Sequence, residues 1–356
     1  MAKVGKIIGT DISKSTFDVA YRSGEAVKTR KWEYTGEQME AFADTLDSDC
    51  TVVMEATGVY HTRLATYLHS RGVKVSIVNP LAAKNFARML MRRTKTDKAD
   101  SKLLLEYGET MDLEAWEPRE AWCVEVQQAY AMLESKNREL TATRNRMEAL
   151  SHSECASKLC MEMCESDQER LEKDVVTLEN EIERLVSSND GDGMKLMESI
   201  PGIGRRTACV LLAMTGSMKR FSSHRQVVSY LGMCPRVYES GTSVKAKAKI
   251  CKMGLESVRK MLYLCALSAK RYNKACRELY ERLLAKGKAK KLALIAVANK
   301  LLKQAFAILK SGMNYDENHI SEKKFKYHLQ NNTVLCEEER RSNPGNFYSG
   351  LLRTSQ

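Results

Sequence analysis

Residues 4–21 run Val4-Gly5-Lys6-Ile7-Ile8-Gly9-Thr10-Asp11-Ile12-Ser13-Lys14-Ser15-Thr16-Phe17-Asp18-Val19-Ala20-Tyr21. Val4 to Asp11 is a short β-branched run that ends in an acid, and Thr16 to Tyr21 alternates apolar and polar side chains with the period of two that a strand requires. Lys14-Ser15 supplies the hairpin turn between them. Working outward, residues 28–34 predict a third strand and residues 37–46 a helix. Thr51-Val52-Val53-Met54-Glu55 predicts a buried strand that ends at a second acid, residues 61–70 a helix, and residues 73–78 a strand stopped by Asn79-Pro80. Strands that alternate with helices predict an α/β domain, a sheet sandwiched by helices.

From about Ala121 the period changes. Val126, Leu133, Leu140 and Met147 repeat every seven residues, and Leu171, Val175, Leu178, Ile182 and Leu185 follow a 4-3-4-3 rhythm. These are coiled-coil seams, equally compatible with a dimerising coiled coil and with two amphipathic helices packed on the body of the protein. Ser151 to Asp167 breaks the heptad and predicts the tip of an antiparallel hairpin. Asn189-Asp190-Gly191-Asp192-Gly193 is turn-rich punctuation after which a new, mainly helical domain begins, and Ala289 to Lys310 predicts a long amphipathic helix. The expected organisation is an α/β domain over 1–115, a helical coiled-coil-like middle over 116–190, a mainly α domain over 191–315, and a polar, loosely ordered tail over 316–356.

The net charge of +12 is unevenly divided. Residues 1–110 hold 17 Lys/Arg against 14 Asp/Glu, residues 111–198 hold 10 against 21, and residues 199–310 hold 24 against 4. An acidic middle therefore adjoins a segment at +20 that attracts polyanions and releases their counterions. No apolar run approaches the roughly 18–20 residues of a bilayer span, and the N-terminus lacks the apolar core of a signal peptide. A cytoplasmic protein with no membrane partner and 11 reduced cysteines is expected.

Asp11 and Glu55 close strands of one sheet, where functional groups of α/β folds gather. Lys95-Thr96-Asp97-Lys98-Ala99-Asp100-Ser101 opens a helix, and residues three apart share a helix face, so Asp97 and Asp100 can point at a common site. Singly these acids are ordinary turn formers and first-turn residues. Together they would repel one another unless a cation neutralised them. All-oxygen ligation suits Mg²⁺ or Mn²⁺, and two such ions about 4 Å apart can stabilise attacking and leaving oxygens in phosphoryl transfer.

Glu198-Ser199-Ile200-Pro201-Gly202-Ile203-Gly204-Arg205-Arg206-Thr207-Ala208 reads as helix, tight hairpin, helix. Gly202 and Gly204 permit close backbone approach, and the amides that open the second helix can hold a phosphate with charge from Arg205 and Arg206. This is the helix-hairpin-helix pattern of sequence-independent backbone binding, expected to position DNA without reading bases; a simple turn between packed helices is the alternative. Gly232 to Lys249 follows, a flexible loop in which Ser240, Thr242 and Ser243 surround a glycine, among Arg236, Lys245, Lys247 and Lys249. A hydroxyl there could attack a phosphodiester while the cations stabilise charge on phosphorus, and the chemistry alone does not choose among the three. His152, Cys155, Cys160 and Cys164 form a cluster that could bind zinc, although it lacks a paired Cys-x2-Cys knuckle.

Gly9-Thr10-Asp11, Glu55-Ala56-Thr57-Gly58, Asn79-Pro80 and Lys95 to Asp100, in that order and followed by the motifs of the basic segment, resemble the RuvC-like (RNase H-like) DEDD domain and C-terminal transposase domain of the Piv/MooV-type insertion-sequence transposases, also called bridge recombinases. The resemblance extends to about residue 315. It implies that Asp11, Glu55, Asp97 and Asp100 bind the divalent metal, and that Ser240 is the nucleophile, since Glu-Ser-Gly followed by two small hydroxyl residues and Val matches the family's motif. Thr242 stands where Ser is common. The resemblance further implies a transposase or site-specific recombinase that cleaves and rejoins donor and target double-stranded DNA through a covalent phosphoserine. The implied partners are a structured non-coding guide RNA and further copies of the chain, as a dimer or a synaptic tetramer, in the bacterial nucleoid. Two alternatives stand beside it: a RuvC-like nuclease that cuts with metal-activated water and makes no adduct, and a non-catalytic nucleic-acid-binding protein.

Overall fold

The computed structural model describes residues 6–56, 58, 60–92, 96–236, 239–240, 244–245, 249–251 and 253–318, with backbone alone at the described positions from 236 to 249. The chain divides into two compact units, Met1–Arg119 and Glu120–Gln356.

In the first unit, strands β1 (Ile7–Ile12), β2 (Thr16–Ser23) and β3 (Ala26–Glu33) form an antiparallel meander, and β4 (Thr51–Glu55) and β5 (Lys74–Val78) add in parallel on the other side of β1. The sheet order is β3-β2-β1-β4-β5. Helices α1 (Gly36–Ala43) and α2 (Tyr60–Ser70) bring Met39, Phe42, Leu64 and Leu68 to one face, against Ile8, Phe17, Trp32, Val52 and Met54. Helices α3 (Pro80–Met89) and α4 (Asp97–Thr110) bring Ala83 and Leu104 to the other, against Val53 and Val78. This mixed sheet with helices is consistent with an RNase H-like domain. Asn79-Pro80, expected only to end a strand, also starts α3: the Asn79 side chain accepts from the Leu81 amide at 2.8 Å, and proline at the first helical position leaves no donor orphaned.

The second unit is mostly helical. Helices α5 (Ala121–Ser151) and α6 (Lys158–Glu198) form an antiparallel hairpin whose seam buries Leu133, Leu140, Leu171 and Ile182, with Lys136–Asp174 and Arg144–Glu172 ion pairs, both at 2.9 Å, across it. Their body-proximal ends share one core with α7 (Arg205–Thr215), α8 (His224–Tyr230), α9 (Glu256–Tyr272), α10 (Lys274–Ala285) and α11 (Lys290–Ser311). The turn-rich stretch at 189–193 kinks α6 instead of ending it. Asp190 alone leaves helical geometry, at φ −147° and ψ 50°, and its carboxylate accepts from the Gly193 amide and the Ser217 hydroxyl, so it caps the second half of the helix. Helix α11 corrects the expectation that no segment could span a bilayer: it is long and apolar enough to do so. Here Leu294, Val297, Leu301, Leu302 and Ala305 on it are buried in the helical core.

Candidate active site

Asp11 is the penultimate residue of β1 and Glu55 the last of β4, and these strands pair in parallel with Thr10 opposite Met54, so both acids stand at the same carboxyl edge of the sheet. Helix α4 supplies the other two. Gly9 has no side chain because α4 lies directly on it: a Cβ there would sit 2.2 Å from the Ser101 carbonyl oxygen and 2.2 Å from the Leu105 nitrogen. One turn further on, a Cβ on Gly108 would meet Ile7 at 2.6 Å and Val53 at 2.8 Å. The helix therefore runs antiparallel to β1, and its first turn, with Asp97 and Asp100, falls beside Asp11. Thr96 caps that turn, its hydroxyl accepting from the Ala99 amide at 3.2 Å, and the positive end of the helix dipole faces the acids.

The electrostatics register the convergence. Burial, then the carboxylates of Asp100, Asp97 and Glu55, push the Asp11 carboxyl from 3.8 up to about 6. Such a set is all oxygen and carries more charge than one helix terminus offsets, which is the donor type a hard divalent cation takes, although among the described residues no three of these carboxylates bring oxygens within 4.8 Å of one another. Asp18 on β2 pairs directly with Asp11 across the ladder, is buried, and lies 4.0 Å from the Lys31 ammonium; burial raises its carboxyl too. It is an acid of this neighbourhood that sequence reading passed over, although the alternation Phe17-Asp18-Val19 already puts it on the face opposite the aromatic core.

Among the described residues the histidine and cysteines near the hairpin tip do not come together as a ligand set. Among the described residues the one group of three metal-capable side chains with ligand atoms within 4.8 Å of one another is Asp47, Asp49 and Cys50. That group is a turn before β4, held by the Cys50 amide donating to the Asp47 carbonyl and by Lys6 3.7 Å from Asp47.

In the second unit, Ser240 ends β7 (Glu239–Ser240), whose register with β8 (Val244–Lys245) sets Ser240 opposite Val244. Outside them β6 (Pro235–Arg236) pairs with β9 (Lys249–Ile250). Two short antiparallel ladders thus stand where a flexible loop was expected. Gly241, Thr242, Ser243 and Lys247 lie outside the described residues, as does the tail beyond residue 318.

The hairpin before α7 is tight: Gly202 adopts φ +106°, and a Cβ on it would lie 2.6 Å from that of Ala269. Buried Asn273 holds this turn through the Pro201 carbonyl at 3.4 Å, and Gln304 and Tyr315 complete its hydrogen bonds at 3.1 and 3.2 Å. Gly204 precedes α7 as its N-cap. Arg205 donates to Glu198 at 2.8 Å and to Glu183 at 2.7 Å, and Arg206 to Glu179 at 2.6 Å. The two arginines are therefore paired although still about half exposed, and the acidic face of α6 runs alongside them.

A mixed sheet with Asp11 and Glu55 at its carboxyl edge and Asp97 and Asp100 in the first turn of α4 beside Asp11, followed by a basic helical unit, is consistent with a DEDD-type nucleic-acid-processing protein. A family model described as "Transposase", of the IS110 DEDD kind, matches residues 8–152, and one described as "Transposase IS116/IS110/IS902 family" matches residues 194–281. The chain is 32% identical to the pilin gene-inverting protein of Moraxella lacunata over 326 residues, 87% of this chain and 97% of that protein. It is 23% identical over 339 residues to the transposase for insertion sequence element IS1111A of Coxiella burnetii, covering 85% and 89% of the two chains. Over 121 residues it is 31% identical to an uncharacterized 43.6 kDa protein of insertion element IS110 from Streptomyces coelicolor, covering 34% of this chain and 30% of that one. The chain belongs to the IS110 family of insertion-sequence transposases and DNA invertases. Membership makes it a DNA-processing enzyme, and the DEDD domain implies dependence on a divalent metal.

Proposed function

We propose that this chain is a DNA recombinase that cuts and rejoins strands through a covalent phosphoserine. The observation that carries the reading is the packing of α4 on Gly9, which sets Asp97 and Asp100 beside Asp11 and, across the parallel β1–β4 pair, near Glu55. Asp11, Glu55, Asp97 and Asp100 would hold Mg²⁺ or Mn²⁺, which when bound neutralises charge on the scissile phosphate. The Ser240 hydroxyl attacks phosphorus; its oxygen–phosphorus bond forms, the bond to the DNA 3′ oxygen breaks, and that oxygen leaves as a 3′ hydroxyl after taking a proton. Attack of a 3′ hydroxyl on the phosphoserine reverses these bonds and joins the exchanged strands. Arg236, Lys245, Lys247 and Lys249, from the same segment, are the cations proposed to stabilise charge on the phosphate.

Gly202, Gly204, Arg205 and Arg206 form the helix-hairpin-helix grip on the DNA backbone. In the free chain Glu179, Glu183 and Glu198 hold the two guanidiniums, so phosphates must compete with three carboxylates that are themselves partly exposed. Selection of donor and target is delegated to a structured guide RNA, the protein acts as a dimer or higher homo-oligomer, and its site of action is the nucleoid of a bacterial cytoplasm. The domain division that serves this mechanism is 1–115, 116–190, 191–315 and the tail.

A labelled duplex run on a denaturing gel tests the chemistry. Wild-type protein forms a protein–DNA adduct that Ser240→Ala and EDTA both abolish; an adduct from Ser240→Ala refutes the nucleophile, and cleavage that persists in EDTA refutes the metal site. Cleavage without any adduct would make the chain a nuclease. Full specificity from RNA-free protein would remove the guide.

A further inference from the structure

Cys234 and Cys251 flank the segment that carries Ser240. They extend the β6–β9 register by one pair beyond Pro235–Ile250, and the Cys251 amide donates to the Cys234 carbonyl at 2.9 Å. Their sulfurs lie 3.1 Å apart, with the Cys234 thiol donating to Cys251. Both side chains are partly accessible, whereas Cys50, Cys123, Cys209, Cys265 and Cys276 are buried. The backbone beneath the pair is clamped: a Cβ on Gly232 would meet the Met253 carbonyl oxygen at 2.5 Å, one on Gly254 the Tyr230 carbonyl oxygen at 2.5 Å, and Arg259 donates to the Leu231 carbonyl at 3.1 Å. Stems held this closely keep the two sulfurs opposed, and about 1 Å of approach brings them to the disulfide length of about 2.05 Å.

We propose that Cys234 and Cys251 form a reversible thiol–disulfide site that locks the base of the nucleophile segment under peroxide stress. The regulatory half of this inference rests on the assignment of Ser240 above. Cys251, which receives the hydrogen bond, is the attacking sulfur. The Cys251 thiolate attacks hydrogen peroxide; a sulfur–oxygen bond forms, the oxygen–oxygen bond breaks, and hydroxide leaves as water after taking the thiol's proton. Cys234 sulfur then attacks the sulfenic sulfur, the sulfur–sulfur bond forms, and the hydroxyl departs as a second water with the Cys234 proton. Two thiols and one peroxide give one disulfide and two waters.

Oxidation closes an 18-residue ring around Ser240. Above the clamped cysteine pair the outer ladder has only two residue pairs, Pro235–Ile250 and Arg236–Lys249, and Pro235 brings no amide to it, which leaves its strands few backbone hydrogen bonds and some freedom to part. A disulfide at its foot removes that freedom and slows adduct formation.

The test treats full-length protein with graded hydrogen peroxide, blocks remaining thiols with an alkylating agent, and maps peptides by mass spectrometry, with adduct formation and short-duplex affinity measured in parallel. The expected result is a 234–251 cross-linked peptide, a several-fold slower adduct rate, and recovery of both with dithiothreitol, while Cys234→Ser, or Cys251→Ser should the first variant fold poorly, shows no peroxide response. Free 234 and 251 thiols at a dose that oxidises exposed Cys155 and Cys160 would overturn the proposal. So would a cross-link that leaves adduct rate and duplex affinity unchanged. If reduced wild-type protein forms no adduct, the nucleophile assignment fails instead, and the peptide map with duplex affinity still decides the switch.

Discussion

Replacing Gly9 with alanine tests the packing that builds the acid site. The new methyl group would lie 2.2 Å from both the Ser101 oxygen and the Leu105 nitrogen and 2.9 Å from the Leu104 carbonyl carbon. All three are backbone atoms of α4, so no side chain can swing aside. Restoring ordinary contact at 3.4 Å requires the helix and strand to separate by about 1 Å. Overpacking of this kind costs about 1–3 kcal/mol, and backbone on both sides puts Gly9→Ala at the upper end. For a unit of this size each kcal/mol lowers the melting temperature by about 4 °C. The same separation moves Asp97 and Asp100 away from Asp11 and Glu55, so divalent-cation affinity falls at least tenfold. Hydrogen exchange of the α4 amides, with calorimetric titration of Mn²⁺, reads both effects. Gly36→Ala is the control, since a Cβ there meets nothing within 4 Å and opens α1 with a better helix former. If Gly9→Ala keeps wild-type exchange and Mn²⁺ binding, the account of how α4 delivers its acids is refuted.

Asp11→Asn makes a pH-dependent prediction. The folded-state carboxyl sits at about 6 against 3.8, so its proton is held more tightly in the folded chain, and the associated stability is present below pH 4 and lost as pH rises through about 6. In EDTA, melting curves of Asp11→Asn and wild type should coincide near pH 4 and the variant should be the more stable at pH 7.5; excess Mg²⁺ should reverse that order. Leu133→Ala removes a fully buried side chain from the α5–α6 seam and should cost about 2–5 kcal/mol in urea denaturation. Arg206→Ala breaks one surface pair, so thermal stability should barely change while duplex affinity drops and its dependence on salt becomes shallower. A large loss of stability with unchanged DNA binding would make that arginine structural.

Much of the first unit is legible in its local pattern. β1 and β4 announce themselves as short β-branched runs, and Thr96 with two acids behind it marks the start of α4, because strand period and helix capping depend on neighbours a few residues away. Glycine's reason at position 9 is not legible, because the atoms it avoids belong to Ser101 and Leu105, over ninety residues later. Asp190 is similar: five turn-forming residues predict a break, yet the Ser217 hydroxyl and the Gly193 amide satisfy its carboxylate and the helix continues past the kink. Arg205 and Arg206 read as charge for a phosphate, and their acidic partners are not legible because Glu179 and Glu183 are more than twenty residues upstream and reach them only through the packing of α6 on α7.

By itself the sequence determined the periodicities, hence the mixed α/β unit and the long helical hairpin, and the separation of acidic from basic segments, since these follow from residue type and spacing. Only the tertiary structure decided that α4 lies on Gly9 and so sets its first turn, with Asp97 and Asp100, beside Asp11, and that two cysteines seventeen positions apart oppose each other. Those outcomes are set by which backbones can approach, and glycines at 9, 108, 232 and 254 give that permission only to partners far away in the chain.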